Sequence, residues 1–263
     1  MRLFTGCLNS RDYYFNTFKK MKHLIKAGIG IVSLLLVCIV LNSSCTGKSG
    51  EQNTAASDSQ LSTLVDTGWH DLFNGTDLTG WKHVGDGFMT VENGIIQTHG
   101  GMGLLYWTEG KLGNCMIHVE WRMEKENSNS GVFTRIPIEP REAWMPVYYG
   151  HEIQVDNHPE LSDEDEYHST GMIYSLTKPL AIAWKPGPEW NTFDITLDGP
   201  RTIVYLNGVK VTDYTDGDPI PVRKFDFEPF PGPRPDSGYF GLQNHGEHDV
   251  VFYRKVAVKP LIK

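Results

Sequence analysis

Cysteine is scarce in this chain: three of its four cysteines lie within the first 45 residues, which leaves Cys115 alone in the rest. That remainder therefore has no pair of cysteines to form an internal disulfide. Basic residues are also few, since 24 Lys and Arg stand against 32 Asp and Glu, for a net charge of −8. Binding to nucleic acid depends on clustered Lys and Arg, so the composition argues against a nucleic-acid partner.

Common catalytic motifs are missing as well. The chain has no Gly-rich phosphate loop and no nucleophile-elbow serine, and Cys115 has no evident partner base. Potential metal ligands come close together in His245-Gly246-Glu247-His248, but neither zinc-type spacing nor a calcium loop is present. No cofactor is predicted, and assistance by a divalent metal stays open.

A sustained 3.6-residue apolar stripe is absent after residue 64, and proline and glycine recur every few residues. The pattern instead alternates with period two, as in Met116 to Met123, and similar strands are predicted at 192–197 and 250–258. Asn-Gly pairs at 93–94 and 207–208 predict two-residue hairpins. We predict an all-β single domain, residues 64–263, with two antiparallel sheets packed as a sandwich or jelly roll.

One long apolar run is present, from Leu24 to Leu41, with Lys19, Lys20 and Lys22 before it, Lys26 near its start and Asn42-Ser43-Ser44-Cys45 after it. This order predicts a signal peptide over 1–44, with Met21 as a possible true start, and lipidation of Cys45 in a bacterial cell envelope. A permanent N-terminal membrane helix is the alternative. Residues 45–63, small and polar, are predicted to tether the domain.

The most informative polar segment is residues 150–157. On a strand, Glu152, Gln154 and Asp156 share one face while Ile153 and Val155 share the other. A sheet face with carboxylates and an amide suits hydroxyl-rich ligands, and a solvated outer face is the alternative. Further polar and aromatic candidates for sugar contact are Asn129, Arg135, His168, Tyr174, Trp190, Gln243 and His245.

Two of these features have competing interpretations. Arg135 neutralises Glu152, binds a substrate oxygen, or makes an ordinary ion pair on the sheet. Any single tryptophan, Trp190 included, packs in the core or rim more often than it stacks on a sugar. The proline-rich segment 218–238 cannot form a ladder strand, and it either borders a site or covers a sheet edge.

From Trp69 to the C-terminus the chain resembles the 3-keto-disaccharide hydrolase family. The most specific part is the opening run WHDLFNGTDLTGW, residues 69–81. Further matching motifs are Glu120-Trp121-Arg122, Asn129-Ser130-Gly131 with Arg135, Gly150 to Asp156, Gly171 with Tyr174, Glu189-Trp190-Asn191, Leu206-Asn207-Gly208 and Gly241 to Gly246. The closing strand departs from the usual Phe-Arg-Asn-Ile with Tyr253-Arg254-Lys255-Val256. The resemblance implies a concanavalin A-like jelly roll that acts on 3-keto-glycosides.

A ketone at C3 acidifies the C2 proton, so a base can remove it and the C1 substituent can leave by elimination, with water adding afterwards. We expect Glu152 or Asp156 to be the base and Arg135 or His245 to stabilise the enolate. Substrate contacts are expected from Asn129, Gln154, His168, Tyr174, Trp190 and Gln243.

A non-catalytic carbohydrate-binding domain is the competing interpretation, and a conventional endo-glucanase is the third. For the elimination route, a separate envelope sugar oxidoreductase is an expected partner, because it would have to make the 3-keto substrate. The lipid at Cys45 is the only expected contact with the membrane.

Overall fold

The computed structural model describes residues 68–158 and 166–261. The signal peptide, Cys45 and the tether predicted from sequence lie outside this range. The strands are β1 (His70–Asp71), β2 (Trp81–Gly85), β3 (Phe88–Glu92), β4 (Ile95–His99), β5 (Gly103–Trp107), β6 (Cys115–Met123), β7 (Ser130–Ile136), β8 (His151–Val155), β9 (Asn191–Asp198), β10 (Arg201–Leu206), β11 (Val209–Thr215), β12 (Tyr239–Asn244) and β13 (Val251–Pro260), and the helix α1 is Trp144–Tyr149.

Two antiparallel sheets form the fold, so the predicted all-β sandwich is confirmed. The larger, eight-stranded sheet has the order β11-β10-β9-β6-β13-β4-β3, with β1 paired to β13. The smaller, five-stranded sheet has the order β2-β5-β12-β7-β8. Within the described ranges, no helix has the length and apolar character needed to cross a bilayer.

The hairpin turns follow from the two Asn-Gly pairs. Asn93 and Gly94 join β3 to β4 with φ angles of 51° and 76°, and Asn207 and Gly208 join β10 to β11 with 52° and 80°. Positive φ at both central positions matches the twist of the flanking strands, and Asn and Gly tolerate it best. Both predicted hairpins are confirmed.

The core lies between the sheets and is built by alternation. Along β6 every second residue is buried, from Cys115 to Met123, and the predicted strand at 116–123 is confirmed. The smaller sheet contributes Val132, Leu242 and Ile153 to the same cluster. Each such buried apolar side chain stabilises the fold by about 1.5–3 kcal/mol. Burial raises the pKa of the Cys115 thiol to about 12, so this cysteine acts as a packed apolar group.

The proline-rich segment 218–238 contains no strand. Its last residue, Gly238, forms an isolated antiparallel bridge with Leu112. Two buried arginines hold its backbone. Arg234 donates hydrogen bonds to the carbonyls of Phe230 and Gly232, and also to that of Gly150 just before β8. Arg135 donates to the carbonyl of Pro235. Charged donors to carbonyls fix the path of a segment that has no ladder.

Candidate functional site

The outer face of the smaller sheet, which is turned away from the larger sheet, carries the polar residues of β8. Ile153 and Val155 belong to the core, so the alternate residues Glu152 and Gln154 lie on the outer face, as the alternation predicts. On the neighbouring strand Gly131 pairs with Gln154. The side chains of Glu152 and Gln154 therefore lie beside Gly131, which has no side chain.

The next strand, β12, completes this surface. Leu242 pairs with Val132, so Gln243 is the neighbour of Gly131 on the side opposite Gln154. Glu152 leans over the glycine, because a Cβ atom at position 131 would lie 2.3 Å from its Oε1 and 2.8 Å from its Cγ. We call Glu152, Gln154, Gly131 and Gln243 the carboxyl–amide cluster. Glycine at 131 makes room for the carboxyl group.

Glu152 is 6% exposed. Burial raises its pKa to about 8, and a side-chain hydrogen bond with Gln243 acts in the opposite direction. Removal of the carboxyl from water disfavours the charged form, and that effect is the larger. At neutral pH the group is therefore mainly the neutral acid, which has a proton to give.

The amides beside it carry unused acceptors. The Oε1 atoms of Gln154 and Gln243 are buried and have no hydrogen-bond partner among the described residues. Buried polar atoms are nearly always paired, and leaving one unpaired costs about 1–3 kcal/mol. Two such acceptors beside a neutral carboxyl suit a ligand that brings its own hydroxyl groups.

Asn129 and Asp156 meet at one end of the smaller sheet. The Asn129 side-chain amide donates to Oδ2 of Asp156 at 3.1 Å, and the backbone N–H of His158 donates to Oδ1 at 3.0 Å. Asp156 follows the last residue of β8 and is 6% exposed. Both of its oxygens thus accept hydrogen bonds from the protein itself.

His245 lies at the same end, in the loop after β12. Its Nδ1 is 2.8 Å from Oδ2 of Asp249, and Oδ1 of Asp249 accepts the backbone N–H of Asn129 at 2.9 Å. Asp249 was not predicted from sequence. The available signal is a histidine and an aspartate four residues apart in a glycine-containing loop, but the metal-ligand pattern considered in the sequence covers only residues 245–248.

Arg135 does not join this group. Its guanidinium donates to the carbonyls of Gly199 and Arg201 as well as Pro235, and the residue is 1% exposed. By alternation with Gly131 it belongs on the outer face. However, Arg135 has a φ of 56°, and the pairing of β7 with β12 shifts register beside it. The bulge turns the side chain toward the larger sheet, and the expected enolate-stabilising role is left without structural support.

His168 and Tyr174 border the strand that carries Glu152. The backbone N–H of Tyr174 donates to the Glu152 carbonyl at 2.9 Å, and its ring packs on His168 with a centroid distance of 4.6 Å. His168 Nε2 lies 2.7 Å from the hydroxyl of Ser175. The structure therefore places Tyr174 in the segment that pairs with the outer edge of β8 beside Glu152, and His168 packs against its ring.

Trp190 lies on the other side of the sandwich. Its ring packs against the guanidinium of Arg254, 4.2 Å from the ring centroid, and that of Arg122, 5.4 Å away. Arg122 alternates with the buried Trp121 and Met123 of β6, so it lies on the outer face of the larger sheet. Trp190 is thereby separated from Glu152 by the core. The substrate contact expected of it has no structural support, because cation–π packing holds the ring on that face.

Within the described ranges, no group of three or more His, Cys, Asp or Glu side chains is arranged so that it could hold a metal ion. Within the same ranges, the chemistry available at the smaller sheet is a neutral carboxyl, two amide acceptors and a histidine–carboxylate pair. This combination can donate and accept protons beside a polyhydroxylated ligand.

Solved structures share the fold. A Parabacteroides distasonis protein provisionally assigned as a glycosyl hydrolase aligns with a TM-score of 0.62 at 24% identity, over 74% of this chain and 94% of that one. A second from the same organism, assigned in the same way, gives 0.54 at 25%, over 73% and 84%. A Bacillus subtilis protein of unknown function with a galectin-like fold gives 0.54 at 12%, over 74% and 96%.

Among curated proteins, the chain has no match. A family model described as a 3-keto-alpha-glucoside-1,2-lyase-like domain matches residues 68–259. This span covers nearly all of the sandwich, from before β1 into β13. The resemblance found in the sequence is therefore confirmed, and the chain belongs to the family of 3-keto-α-glucoside-1,2-lyase-like domains.

Proposed function

We propose that this protein cleaves the glycosidic bond of 3-keto-glycosides on the outer face of its smaller sheet. The observation that carries the proposal is Glu152, a buried carboxyl whose pKa is raised to about 8, set beside two unpartnered amide acceptors. Family membership supplies the substrate class. The amides of Gln154 and Gln243 would bind sugar hydroxyls, and Glu152 would supply a proton.

The chemistry assigns Glu152 a different role from the one expected from sequence. Once the C2 proton of a 3-keto sugar is removed, the electron pair forms the C1=C2 double bond and the C1–O bond breaks. The leaving oxygen then needs a proton. A carboxyl that is neutral at pH 7 suits this general-acid role better than the role of base, because efficient catalysis requires a pKa near the working pH. In hydrolysis, water afterwards adds hydroxyl to C1 and a proton to C2.

Attack by the conventional two-carboxyl route is less well supported. It requires carboxyl groups about 5–5.5 Å apart for retention or about 6.5–9.5 Å for inversion. Glu152 and Asp156 are four residues apart, which along a strand corresponds to about 13 Å between Cα atoms. In addition, both oxygens of Asp156 already accept hydrogen bonds from Asn129 and His158.

Non-catalytic carbohydrate binding is the second candidate. Its support is the pair of buried amide acceptors, which would serve recognition equally well without any proton transfer. Release of free sugar separates the candidates. We expect release from a 3-keto-disaccharide and none from the unoxidised disaccharide. Release from both would indicate a conventional glycosidase, and binding without release would indicate a lectin.

The variant that tests the role of Glu152 is Glu152→Gln, which keeps the shape and removes the acidic proton. We expect cleavage of the 3-keto-disaccharide to fall by about 10²–10⁴-fold, the usual contribution of a general acid. Glu120→Gln is the matched control, because Glu120 pairs with Arg254 and His118 on the outer face of the larger sheet. Full activity in Glu152→Gln would remove this carboxyl from the mechanism.

Lipid attachment at Cys45 and a supplying sugar oxidoreductase belong to the same proposal. The motif Asn42-Ser43-Ser44-Cys45 after an apolar run supports export and anchoring in a bacterial envelope. Cys45→Ala should yield a protein without lipid that partitions away from membranes and cleaves substrate at the wild-type rate. Membrane association that persists in this variant would favour the alternative of a permanent N-terminal helix.

A further inference from the structure

The Asp249 carboxylate is fixed at the end of the smaller sheet by two hydrogen bonds. Oδ2 lies 2.8 Å from Nδ1 of His245, and Oδ1 accepts the backbone N–H of Asn129 at 2.9 Å. Gly246 permits this approach, because a Cβ atom there would lie 2.4 Å from Oδ2 of Asp249. Asp249 is thus oriented by the backbone of one strand and itself orients a histidine from the loop after another.

Strand register places the histidine near the carboxyl–amide cluster. His245 directly follows β12, two residues beyond Gln243, and Asn129 directly precedes the paired strand β7, two residues before Gly131. Two residues of strand span about 6.6 Å. The imidazole side chain is 45% exposed, so a ligand that covers the cluster can reach it.

The contact with Asp249 also selects the tautomer. An ionised carboxylate only accepts hydrogen bonds, so Nδ1 of His245 must carry the hydrogen in this pair. Nε2 then has a free lone pair and is the basic nitrogen. A histidine held in this way is the usual partner of an aspartate in acid–base catalysis.

We propose that His245 is the base that removes the C2 proton of the 3-keto sugar and that Asp249 is the positioning residue that holds it in the required tautomer. This inference rests on the proposed function. In the step, Nε2 of His245 takes the proton, and the C–H electron pair forms the enolate with the C3 carbonyl. Collapse of the enolate then expels the C1 oxygen, which receives the proton of Glu152.

Asp156, the other candidate base, is less suited to this step. Each of its oxygens accepts a hydrogen bond from a protein N–H group, one from Asn129 and one from His158. Both oxygens are therefore already engaged by donors of the protein, whereas in the described part of the chain Nε2 of His245 faces no such donor in the pair with Asp249. Asn129 connects Asp156 and Asp249, because its side-chain amide donates a hydrogen bond to Asp156 while its backbone N–H donates one to Asp249.

Hydrogen exchange at C2 tests the base separately from bond cleavage. The substrate is 3-keto-1,5-anhydroglucitol, which has an acidic C2 proton and no leaving group at C1. In D2O we expect the wild type to exchange this proton at a measurable rate. Asp249→Asn should exchange at least about 100-fold more slowly, because the amide turns its N–H toward Nδ1 and imposes the wrong tautomer.

A matched control comes from the other face of the sandwich. His118 Nδ1 and Asp194 Oδ1 are 2.7 Å apart in a similar pair on the larger sheet, and Asp194→Asn should leave exchange unchanged. Thermal unfolding of each variant shows whether it is folded. If Asp249→Asn folds and exchanges at the wild-type rate, the assignment is overturned even where cleavage of 3-keto-glycosides is observed.

Nitrogen NMR of His245 provides a readout that does not depend on turnover. We expect the Nδ1–H tautomer in the wild type and the Nε2–H tautomer in Asp249→Asn. A wild type in the Nε2–H form overturns the inference. Exchange at C2 without cleavage of any 3-keto-glycoside would refute the proposed function and leave the base assignment standing. Cleavage of a 3-keto-disaccharide by a wild type that binds the keto sugar without exchange would overturn the base assignment and leave the proposed function standing.

Discussion

The carboxyl of Glu152 occupies the space that a side chain at position 131 would fill, with Oε1 2.3 Å from the position of the missing Cβ. The two residues lie on adjacent strands of the smaller sheet. A glycine on one strand thereby allows a carboxyl on the next to lie flat and buried between two amides. The raised pKa of Glu152 follows from this burial.

Gly131→Ala should therefore act on catalysis through Glu152. The added methyl group displaces the carboxyl, and we expect cleavage of a 3-keto-disaccharide to fall by at least about tenfold, since misplacement by about 1 Å can cost 100-fold. Gly101→Ala is the control, because the nearest atom to its added Cβ is 3.7 Å away. Equal activity in both variants would show that the position of Glu152 over Gly131 is unimportant.

Glu152 should also make stability depend on pH. Its pKa is raised from 4.5 to about 8, so the folded protein holds this proton more tightly than the unfolded chain does. Its stabilising effect is present at low pH and is lost as the pH rises from about 5 to 8, by up to about 1.4 kcal/mol per pH unit. Urea unfolding of the wild type and Glu152→Gln at pH 5 and 8 measures the difference.

The expected result is that Glu152→Gln gains stability relative to the wild type as the pH is raised. In parallel, wild-type cleavage should decline above about pH 8, where the carboxyl loses the proton that it donates. A stability difference that stays constant across this range would mean that Glu152 is ionised in the folded protein at neutral pH.

Gln154→Ala and Gln243→Ala should weaken substrate binding. Their unpartnered oxygens are proposed to accept sugar hydroxyls, and loss of one hydrogen bond worth about 1.4 kcal/mol raises KM about tenfold. Trp190→Ala should leave KM unchanged, because its ring packs against Arg254 on the larger sheet. A raised KM in Trp190→Ala alone would move substrate binding to the opposite face.

Arg135→Lys should lower stability without changing KM. A lysine cannot reproduce the hydrogen bonds to the carbonyls of Gly199, Arg201 and Pro235, and we expect a loss of about 3 kcal/mol, since hydrogen bonds to charged groups are worth about 1.5–3 kcal/mol each. Thermal unfolding and steady-state kinetics give the two values. Arg254→Lys, at a side chain that is 45% exposed, provides the control.

Local patterns in the sequence determine much of this structure. The turns at Asn93-Gly94 and Asn207-Gly208 need positive φ, which their residues supply, and alternation assigns the faces of β6 and β8. These features depend on neighbours along the chain. They could therefore be predicted, and so could the outward position of Glu152.

The remaining features depend on contacts between distant segments. The alternation of side chains between the two faces of β7 fails at Arg135 because of a bulge against β12. No residue within β7 predicts this bulge. Asp249 acquires its role from the backbone of Asn129, 120 residues earlier. Trp190 is a residue type that often stacks on sugars. Its ring instead packs against Arg122 of β6 and Arg254 of β13, on the outer face of the larger sheet.

The two buried arginines that hold segment 218–238 bind carbonyl oxygens, a group that every amino acid possesses. Within the segment, the side chains that bond the backbone are charged ones, Arg223, Glu228 and Arg234, and the exposed apolar side chains take no part in these bonds. Val222 is 86% exposed. Substitutions at such positions can change the surface while the backbone stays in place, so this segment is a tolerant target for combinatorial mutagenesis and a region where relatives can diverge without losing the fold.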